Sequence, residues 1–397
     1  MAGRQVLAQL GRNDMILSGQ PDITFFLEQY KARAPFATRV IDVAFRNQPQ
    51  YGSDSTVELP MNGDLITAMY ARFNIPPVPN LTFYGSAGPL MIERVELYYH
   101  NQLIERIWGE FIVLSNECEV SSGQQTGLDN LYGKPAVYPR TLTFAPNAQY
   151  TVPLRFKTLQ KGLPVIEGLQ VRIVLNKVDK FSPDKVQLNV DFHLFVEYAF
   201  LGDAERDWIA KKGKRIYLCE NVERARYLAP AGVSNIRCVT DFLHPVKELF
   251  FTVQNENAIG FDYNLYSSNI SVFSNVNQLS ALAMTFNDSL RLDPAVATYL
   301  YLGSSQFLEY HTRIPSMPFY MYSFSLDPEG QEPSGAVNFG RIKHQYFDFY
   351  LNPAPVPVNR IITIWARYYQ FLEVDDRKGM RVLFDNISET GSSAILR

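Results

Sequence analysis

Hydrolysis by a side-chain nucleophile needs a serine or cysteine next to a histidine and an acid. The nearest approach to such a set along this sequence is His311 followed by Ser316. Neither residue lies in a Gly-x-Ser-x-Gly segment, the strand-to-helix turn that exposes a catalytic serine. We therefore expect no catalytic residues in this chain, and no enzyme activity.

Metal binding needs ligands that cluster, often as two histidines one helical turn apart. The five histidines are dispersed and none are four positions apart: His100, His193, His244, His311 and His344. We expect structural or surface histidines, with His193 on the polar face of its strand in a solvated or interfacial role. The sequence predicts neither a metal site nor a cofactor site.

Three acids lie close together and could in principle serve a glycosidase, which uses a pair of carboxyl groups. These are Asp327, Glu329 and Glu332, within a corner that contains two prolines and two glycines. Such a corner is typical of a surface loop. We expect these acids to be exposed.

The cysteines Cys118, Cys219 and Cys238 are odd in number and far apart, with no Cys-x-x-Cys spacing. This spacing favours free or buried thiols in a reducing compartment over a zinc site or a disulfide framework. A phosphate-binding Gly-x-x-x-x-Gly-Lys-Ser loop is also absent from the sequence, which argues against ATP-driven packaging.

Composition indicates a globular, aromatic-rich β protein. The chain has 397 residues, 46% of them hydrophobic and 19% charged, with 27 Phe and 23 Tyr. This length exceeds what one hydrophobic core supports, so two domains are expected. The formal net charge is −3, and a protein that neutralises phosphates would carry a positive excess, so no direct nucleic-acid binding is expected. Residues 1–20 lack the apolar core of a secretory signal, and we expect a soluble protein made in the cytoplasm.

Strand patterns fill both halves. Residues 186–198 alternate strictly, with apolar side chains at even positions, which predicts a long strand with one wet face. A second long strand is predicted at 361–374, and a shorter one at 321–326 before the Pro-Gly corner, with an extended run at 336–342 after it. Residues 94–99 and 103–106 predict a hairpin.

Few segments depart from the β pattern. Short helices are predicted at 108–116 and at 204–211, the latter capped by Asp203 and ended by Gly213. The basic residues at 211–215 are expected to be a solvated connector or to contact an acidic neighbour. We expect a long irregular loop at 119–140 and a polar tail at 375–397.

Several motifs, in order, resemble the major capsid proteins of nucleocytoplasmic large DNA viruses. They span most of residues 20–375 and occur as follows: Pro-Asp-Ile-Thr-Phe-Phe at 21–26, Gly-Asp-Leu-Ile at 63–66, the hairpin motif at 93–110, Asp-Ala-Glu-Arg at 203–206, His-Pro-Val-Lys-Glu-Leu at 244–249, His-Thr-Arg-Ile-Pro-Ser at 311–316 and the stretch 314–342.

The resemblance implies an all-β chain of two consecutive eight-stranded jelly rolls, with short helices in loops. It predicts an N-terminal arm (1–20), a first jelly roll (21–200), a linker with a short helix (201–240), a second jelly roll (241–375) and a C-terminal tail (376–397). Such a subunit forms a homotrimer, a pseudo-hexagonal capsomer that tiles an icosahedral shell in the virion after assembly in the host cytoplasm. The implied partners are neighbouring capsomers and minor capsid and penton proteins, with the arm near an inner viral membrane.

Two alternatives remain at this point. One is a minor or penton capsid protein, although a penton usually needs a single jelly roll and two similar halves argue against it. The other is a glycan-binding or glycan-processing double β-sandwich. A glycan array and a hydrolysis assay would distinguish the latter from a shell subunit.

Overall fold

The computed structural model describes residues 2–9, 11–27, 30, 32–75, 82–84, 86–133, 141–143, 149–182, 191–256, 258, 277–354, 357–375 and 379–383. The chain divides into two compact units, Met1–Phe36 and Ala37–Arg397. The division falls later than the predicted end of the arm at residue 20. This division does not separate the two predicted jelly rolls, so the boundaries predicted for them are not addressed by it and stay predictions.

The first unit contains two short helices, α1 (Ala2–Ala8) and α2 (Arg12–Ser18). Sequence reasoning predicted an arm here but no helices. Asp14 accepts a hydrogen bond from the backbone N–H of Gly11 (2.8 Å), which satisfies a free donor at the start of α2. After α2, the first unit exposes several large apolar side chains: Ile23, Phe25, Phe26, Leu27 and Tyr30.

The first half of the second unit is a pair of antiparallel sheets. Its strands are β1 (Phe36–Val43), β2 (Asp54–Glu58), β3 (Leu65–Asn74), β4 (Thr82–Tyr84), β5 (Ile92–Tyr99), β6 (Gln102–Trp108), β7 (Thr141–Thr143), β8 (Gln149–Pro153), β9 (Leu163–Pro164), β10 (Leu169–Leu175) and β11 (Asp191–Leu201). One sheet has the order β1-β11-β3-β8, with β9 beside β3, and the other has the order β2-β10-β5-β6, while β4 and β7 pair with each other in a separate two-stranded sheet. Three helices lie between the strands: α3 (Ala87–Met91), α4 (Gly109–Glu119) and α5 (Ser122–Tyr132).

The second half repeats this plan. After α6 (Asp203–Lys212), its strands are β12 (Arg215–Ala229), β13 (Asn235–Thr240), β14 (Pro245–Asn255), β15 (Leu279–Phe286), β16 (Ser289–Leu292), β17 (Tyr320–Ser323), β18 (Val337–Asn338), β19 (Gln345–Leu351), β20 (Arg360–Asp375) and β21 (Gly379–Leu383). A π-helical segment, Tyr301–Ser305, leads into α7 (Gln306–Tyr310). The sheets have the orders β12-β20-β14-β17 and β13-β19-β15-β16, with β18 beside β14 and β21 beside β20.

The principal strands of the two halves match, since in each described half both large sheets contain a four-stranded path with the same chain order. This is the predicted double jelly roll, with eight principal strands in each half. Alternation along β11 buries Phe192, Leu194 and Val196 between the sheets of the first half, as predicted. The first five residues of the predicted strand, 186–190, lie outside the described residues. The long strand predicted at 361–374 is confirmed as β20.

The irregular loop predicted at 119–140 is wrong over much of its length. Residues 122–132 form α5, which ends at Gly133 in the left-handed conformation. Leu128 and Tyr132 are four apart, on one face of the helix, and both are buried. The burial of this face outweighs the weak helix propensity of the Gly and Ser residues around it.

Three other predictions need correction. The stretch 201–240 is not only a linker, because β12 and β13 lie in the sheets of the second half. The polar tail contains β21, which pairs with β20. The strand predicted at 321–326 ends at Ser323, leaving Leu326 exposed, and the run at 336–342 turns into a 3₁₀ helix, Phe339–Arg341, after β18.

The predicted hairpin is confirmed as β5 and β6, and the predicted short helices as α4 and α6. Gly213, with φ of 62°, ends α6 as expected. Gly202 rather than Asp203 is the capping residue, since Asp203 is already the first residue of the helix. In the basic segment that follows, Lys214 lies 2.5 Å from Glu373, so it does contact an acidic neighbour.

Candidate functional site at the junction of the two halves

An aromatic cluster joins the two halves. Phe111 of α4, from the first half, contacts Phe250 and Trp365 on the outer face of the β14–β20 sheet, with ring centroids 5.6 and 5.7 Å apart. Trp108 at the end of β6 lies 6.4 Å from Trp365 and donates its indole N–H to the carbonyl of Val222 (3.0 Å). These rings are almost fully buried. Their burial stabilises one arrangement of the halves through apolar area and edge-to-face contacts.

The close approach of α4 to α3 and to the start of β5 depends on Gly109, the first residue of α4. A Cβ atom at this position would lie 2.0 Å from the carbonyl oxygen of Ile92 and 2.5 Å from that of Pro89. No side chain fits there without moving the backbone. Gly109 therefore lets the chain turn directly from β6 into the helix that carries Phe111.

The free edge of β6 is covered by a side chain of the second half. Asn221 of β12 donates to the carbonyl of Ile104 (2.8 Å) and accepts from the backbone N–H of Arg106 (2.7 Å). It also donates to Gln370 of β20 (2.6 Å). Buried backbone groups of an edge strand need partners, and one amide supplies both a donor and an acceptor here.

A network of buried charges lies next to the aromatic cluster. The guanidinium of Arg367 on β20 lies 2.9 Å from Glu220 and 3.1 Å from Glu248, and it also binds Glu119 at the end of α4. The Nζ atom of Lys247 lies 2.9 Å from Glu220 and donates to the carbonyl of Pro328 (2.5 Å). The pair Arg367–Glu119 therefore connects the halves directly.

The ionisation of this network follows from its pairing. Burial alone would raise the pKa of Glu248, but its cationic neighbours lower that pKa to about 2. Burial alone would lower the pKa of Arg367, yet the surrounding carboxylates raise it well above its usual range. Burial lowers the pKa of Lys247, with the nearby Arg367 acting in the same direction. Removing one partner would leave an uncompensated buried charge.

His311 lies at the end of α7 and bridges two acids. Its Nε2 atom is 3.0 Å from Glu248 and its Nδ1 atom 2.8 Å from Glu329. Burial lowers the pKa of His311, whereas Cys118 and the two carboxylates raise it, with a net result of about 12. Burial raises the pKa of the Cys118 thiol to about 11, so the thiol is uncharged at neutral pH. The carboxylates of Glu248 and Glu329 are then the charged groups that hold the proton on His311.

Cys118, Glu119 and His311 have potential metal-ligand atoms within 4.8 Å of one another. Sequence reasoning missed this group because His311 lies almost two hundred positions from Cys118 and Glu119. Both imidazole nitrogens already contact carboxylates, and Arg367 binds Glu119. The residues are therefore arranged as an ion-pair network, and a metal would have to displace two protons and a guanidinium contact.

Ser316 and His311 do not act on each other. The hydroxyl of Ser316 donates to the buried carboxylate of Glu117 (2.7 Å). Arg313 binds the same carboxylate (3.2 Å) and the carbonyl of Glu117 (2.7 Å). The segment 311–316 thus ties the second half to the end of α4, which is a positioning role and not that of a nucleophile and its base.

The three acids of the Pro-Gly corner have different environments and partners. Asp327 accepts a hydrogen bond from the N–H of Gly330 (2.9 Å) within the corner, and Glu332 is exposed. Glu329 is half-buried, against the expectation of an exposed loop, and accepts from the backbone N–H of Thr312 (2.9 Å) as well as contacting His311. The corner therefore delivers one carboxylate to the junction.

The other histidines lie apart from this network. His193 lies on the outer face of the first half, 2.8 Å from Asp42 and 3.2 Å from Asp191. His244 stacks on Tyr368 with centroids 4.1 Å apart, and His344 stacks on Tyr346. His100 follows Tyr99 in the β5–β6 turn. The cysteines are free and buried, as the sequence predicted.

One signal in the sequence pointed to the junction. Lys247 and Glu248 are adjacent charges inside an otherwise apolar strand, Val246 to Phe251, and both are fully buried. Charged residues are almost never buried without partners. The site as a whole fixes the orientation of two sandwiches, and a polar cavity of about 240 Å³ lies beside it, lined in part by Glu105, Lys157 and Arg155.

Two family descriptions match the chain. Residues 24–201 match the model described as "Major capsid protein N-terminus", and residues 205–357 match "Large eukaryotic DNA virus major capsid protein". Relatives include a major capsid protein of Pyramimonas orientalis virus, 24% identical over 94% of this chain and 96% of the relative. Another is that of Paramecium bursaria Chlorella virus 1, 24% identical over 86% and 85%.

Solved structures share the fold. A quasi-atomic model of the PBCV-1 virus capsid matches with a TM-score of 0.76 at 18% identity, covering 91% of this chain and all of that one. The Faustovirus major capsid protein matches with a TM-score of 0.71 at 11% identity, covering 91% and 94%. Within the described residues, no helix is both long and apolar enough to span a bilayer.

Proposed function

Because this chain belongs to the family of large eukaryotic DNA virus major capsid proteins, it is a structural capsid subunit of the virion, and we propose that three copies form a pseudo-hexagonal capsomer. Many such capsomers would tile an icosahedral shell. The observation that carries this proposal is the repeated strand order of the two halves, because three copies then supply six similar sandwiches. A pseudo-hexagonal outline follows from a threefold arrangement of paired units.

The mechanism that we propose is burial and rigidity, with no catalytic step. A capsomer can present fixed outer surfaces only if the two sandwiches of each chain keep a fixed angle. The aromatic cluster and the ion pairs at the junction supply this constraint, since the groups are buried and their charges are matched. The pairing of His311, Glu248 and Arg367 supports a structural role and a chain that is not an enzyme.

The partners in this proposal are other copies of the chain, neighbouring capsomers and the minor capsid and penton proteins. The arm is proposed to lie on the inner side, near a viral membrane, in keeping with its exposed apolar residues Ile16 and Leu17. The net charge of −3 supports the absence of direct nucleic-acid binding. Assembly is proposed to take place in the host cytoplasm.

Light scattering coupled to size exclusion tests the oligomeric state. The purified full chain at micromolar concentration is expected to have three times the 45.3 kDa mass of one chain. Negative-stain images should show particles with a six-sided outline. A stable folded monomer under these conditions would contradict the proposal.

A further inference from the structure

Strand β20 is long enough to lie in two hydrophobic cores. In its first part, residues 360–368, the buried side chains Ile362 and Ile364 belong to the core of the second half, and β14 is the neighbouring strand. In its last part, Leu372 and Val374 on the same face belong to the core of the first half. One strand therefore runs from one sandwich into the other.

Two further strands take part in this extension. Strand β21 lies beside the last part of β20, and its Met380 and Val382 are direct partners of Val374 and Leu372. Across β20, Cys219 of β12 lies in the same core. All five side chains are at most 5% exposed. We call β21 the closing strap, because its two buried side chains complete the first-half core.

The closing strap binds the first half but is itself exposed on one side. The backbone N–H of Val382 donates to Gln102 in the β5–β6 turn (3.2 Å). Met380 forms part of the wall of a cleft of about 760 Å³ between that turn and β20. On the other face of the strap, the side chain of Arg381 is 67% exposed. A five-residue strand with this access to water opens at lower cost than the central strands of a sheet.

We propose that the closing strap is a reversible closure of the first half. When attached, it completes the first-half core. When detached, it exposes that core next to Cys219, while the core of the second half stays closed. A segment that follows the whole second half in sequence thus controls the rigidity of the first sandwich. These contacts lie within one chain, so the strap does not depend on the capsomer proposed above.

The effect is confined to one half because of where the side chains of the strap lie. Met380 and Val382 belong to the first-half core, and no residue of the strap, all five of which the structure describes, belongs to the second-half core. Without the strap, β20 keeps its pairing with β12 and β14 along residues 360–368. Since hydrophobic stabilisation depends on the apolar area buried in each core, the loss of stability falls on the first half.

Three free, buried cysteines report on separate parts of the protein. Cys219 lies in the first-half core next to the strap, Cys238 lies in the second-half core, and Cys118 lies in the aromatic cluster at the junction. A thiol reagent reaches a buried cysteine only when the surrounding structure opens. The labelling rate at each cysteine, assigned by peptide mass spectrometry, therefore measures the opening of its own surroundings.

Val382→Asp in the full chain tests the strap, because it places a carboxylate in the first-half core. Labelling of Cys219 is expected to become at least about tenfold faster, and labelling of Cys238 to change by less than about twofold. Hydrogen exchange should become faster in β3 and β11, with β14 and β19 unchanged. Val382→Ala should give the same pattern at smaller amplitude and serves if the first variant does not fold, which circular dichroism verifies.

Val40→Asp is the matched control. Val40 is a 52% exposed valine on β1, an edge strand of the first half, so the same substitution there adds a charge without entering the core. Labelling of Cys219 and Cys238 should remain at the wild-type rates in this variant.

The outcomes are distinct. Faster labelling of Cys219 with unchanged Cys238, together with faster exchange in the first half, supports the strap. Acceleration at Cys238 as large as that at Cys219 in a folded variant overturns it, because Val382 would then stabilise the whole protein. Unchanged labelling of Cys219, or faster exchange restricted to β20 and β21, also overturns it, since the strap would then be a peripheral addition.

Discussion

His311 and Glu248 form an ion pair in the protein interior, with the Nε2 atom 3.0 Å from the carboxylate and both side chains inaccessible to solvent. His311 ends α7, while Glu248 lies on β14 next to Lys247. The pair thus holds the segment that follows α7 on the sheet that the first half also contacts. Its removal would disturb the junction through Glu248, which also binds Arg367.

His311→Gln is expected to lower the free energy of unfolding by about 3–5 kcal/mol, because the buried Glu248 and the half-buried Glu329 both lose a cationic partner. Urea unfolding at fixed protein concentration measures this, since an oligomer's stability depends on concentration. His344→Gln is the matched control, because His344 is half-exposed and lies 3.8 Å from the exposed Asp288. The control should stay within about 0.5 kcal/mol of wild type. Equal effects of the two variants would contradict a special role for His311.

The same variant should change the dependence of stability on pH. The pKa of His311 rises from an ordinary 6.5 to about 12 on folding, so its contribution is complete below pH 6.5 and is lost as the pH rises toward 12. The difference in unfolding free energy between wild type and His311→Gln should therefore shrink between pH 6.5 and pH 9.5, by at most about 1.4 kcal/mol per pH unit. A difference that stays constant over this range would show that His311 is not protonated.

The pH dependence of stability that Glu248 contributes has the opposite sign to that of His311. Folding lowers the pKa of Glu248 from 4.5 to about 2, so its contribution is complete above pH 4.5 and is lost as the pH falls toward 2. Glu248→Gln should therefore flatten the fall in stability between pH 4.5 and pH 2.5 while also destabilising the protein at neutral pH. Acid unfolding followed by tryptophan fluorescence measures both effects. An unchanged acid slope would contradict the assignment.

Phe111→Ala should destabilise the protein by about 3–5 kcal/mol, because it opens a cavity between Phe250 and Trp365. Phe371→Ala removes a ring of the same size that is 40% exposed and should cost much less. Urea unfolding of the two variants compares them directly. A cost for Phe111→Ala no larger than that of the control would show that the halves repack around the missing ring.

Asn221→Ala should cost about 2–3 kcal/mol, because the carbonyl of Ile104 and the N–H of Arg106 lose their partner in a buried setting. Asn62→Ala is the control on an exposed loop. Hydrogen exchange adds a readout that is specific to this edge. The amide of Arg106 should exchange faster in Asn221→Ala than in wild type, and unchanged protection would mean that another group covers the edge of β6.

The sheets could be predicted well because the order of apolar and polar residues within each strand reflects which of its faces is buried. Alternation along β11 and the hairpin of β5 and β6 depend on neighbours in sequence and on one buried face, so local pattern was sufficient. The motifs that resemble the capsid-protein family added the prediction that the strands form two consecutive jelly rolls. The same reasoning did not find α5, because Gly and Ser residues obscured the spacing of Leu128 and Tyr132.

The junction was much harder to predict, because its contacts join distant positions. Asn221 and Ile104 are 117 residues apart, and Arg367 and Glu119 are 248 apart. From the sequence alone, Glu119 and Arg367 cannot be distinguished from charged residues on the surface. Only the fold shows that they meet in the interior, and only their burial explains why each needs the other.

Strand β21 links the last described part of the chain to the first half. The N–H of Val382 donates to Gln102 in the β5–β6 turn (3.2 Å), and a Cβ atom on Gly379 would lie 2.0 Å from the hydroxyl of Tyr99. During synthesis the first half can fold as soon as it emerges from the ribosome. The turn of the β5–β6 hairpin, however, gains this contact only after residues 379–383 have been synthesised. A translation product that stops before residue 379 would therefore lack this contact, so the β5–β6 turn is supported only once nearly all of the sequence has been synthesised.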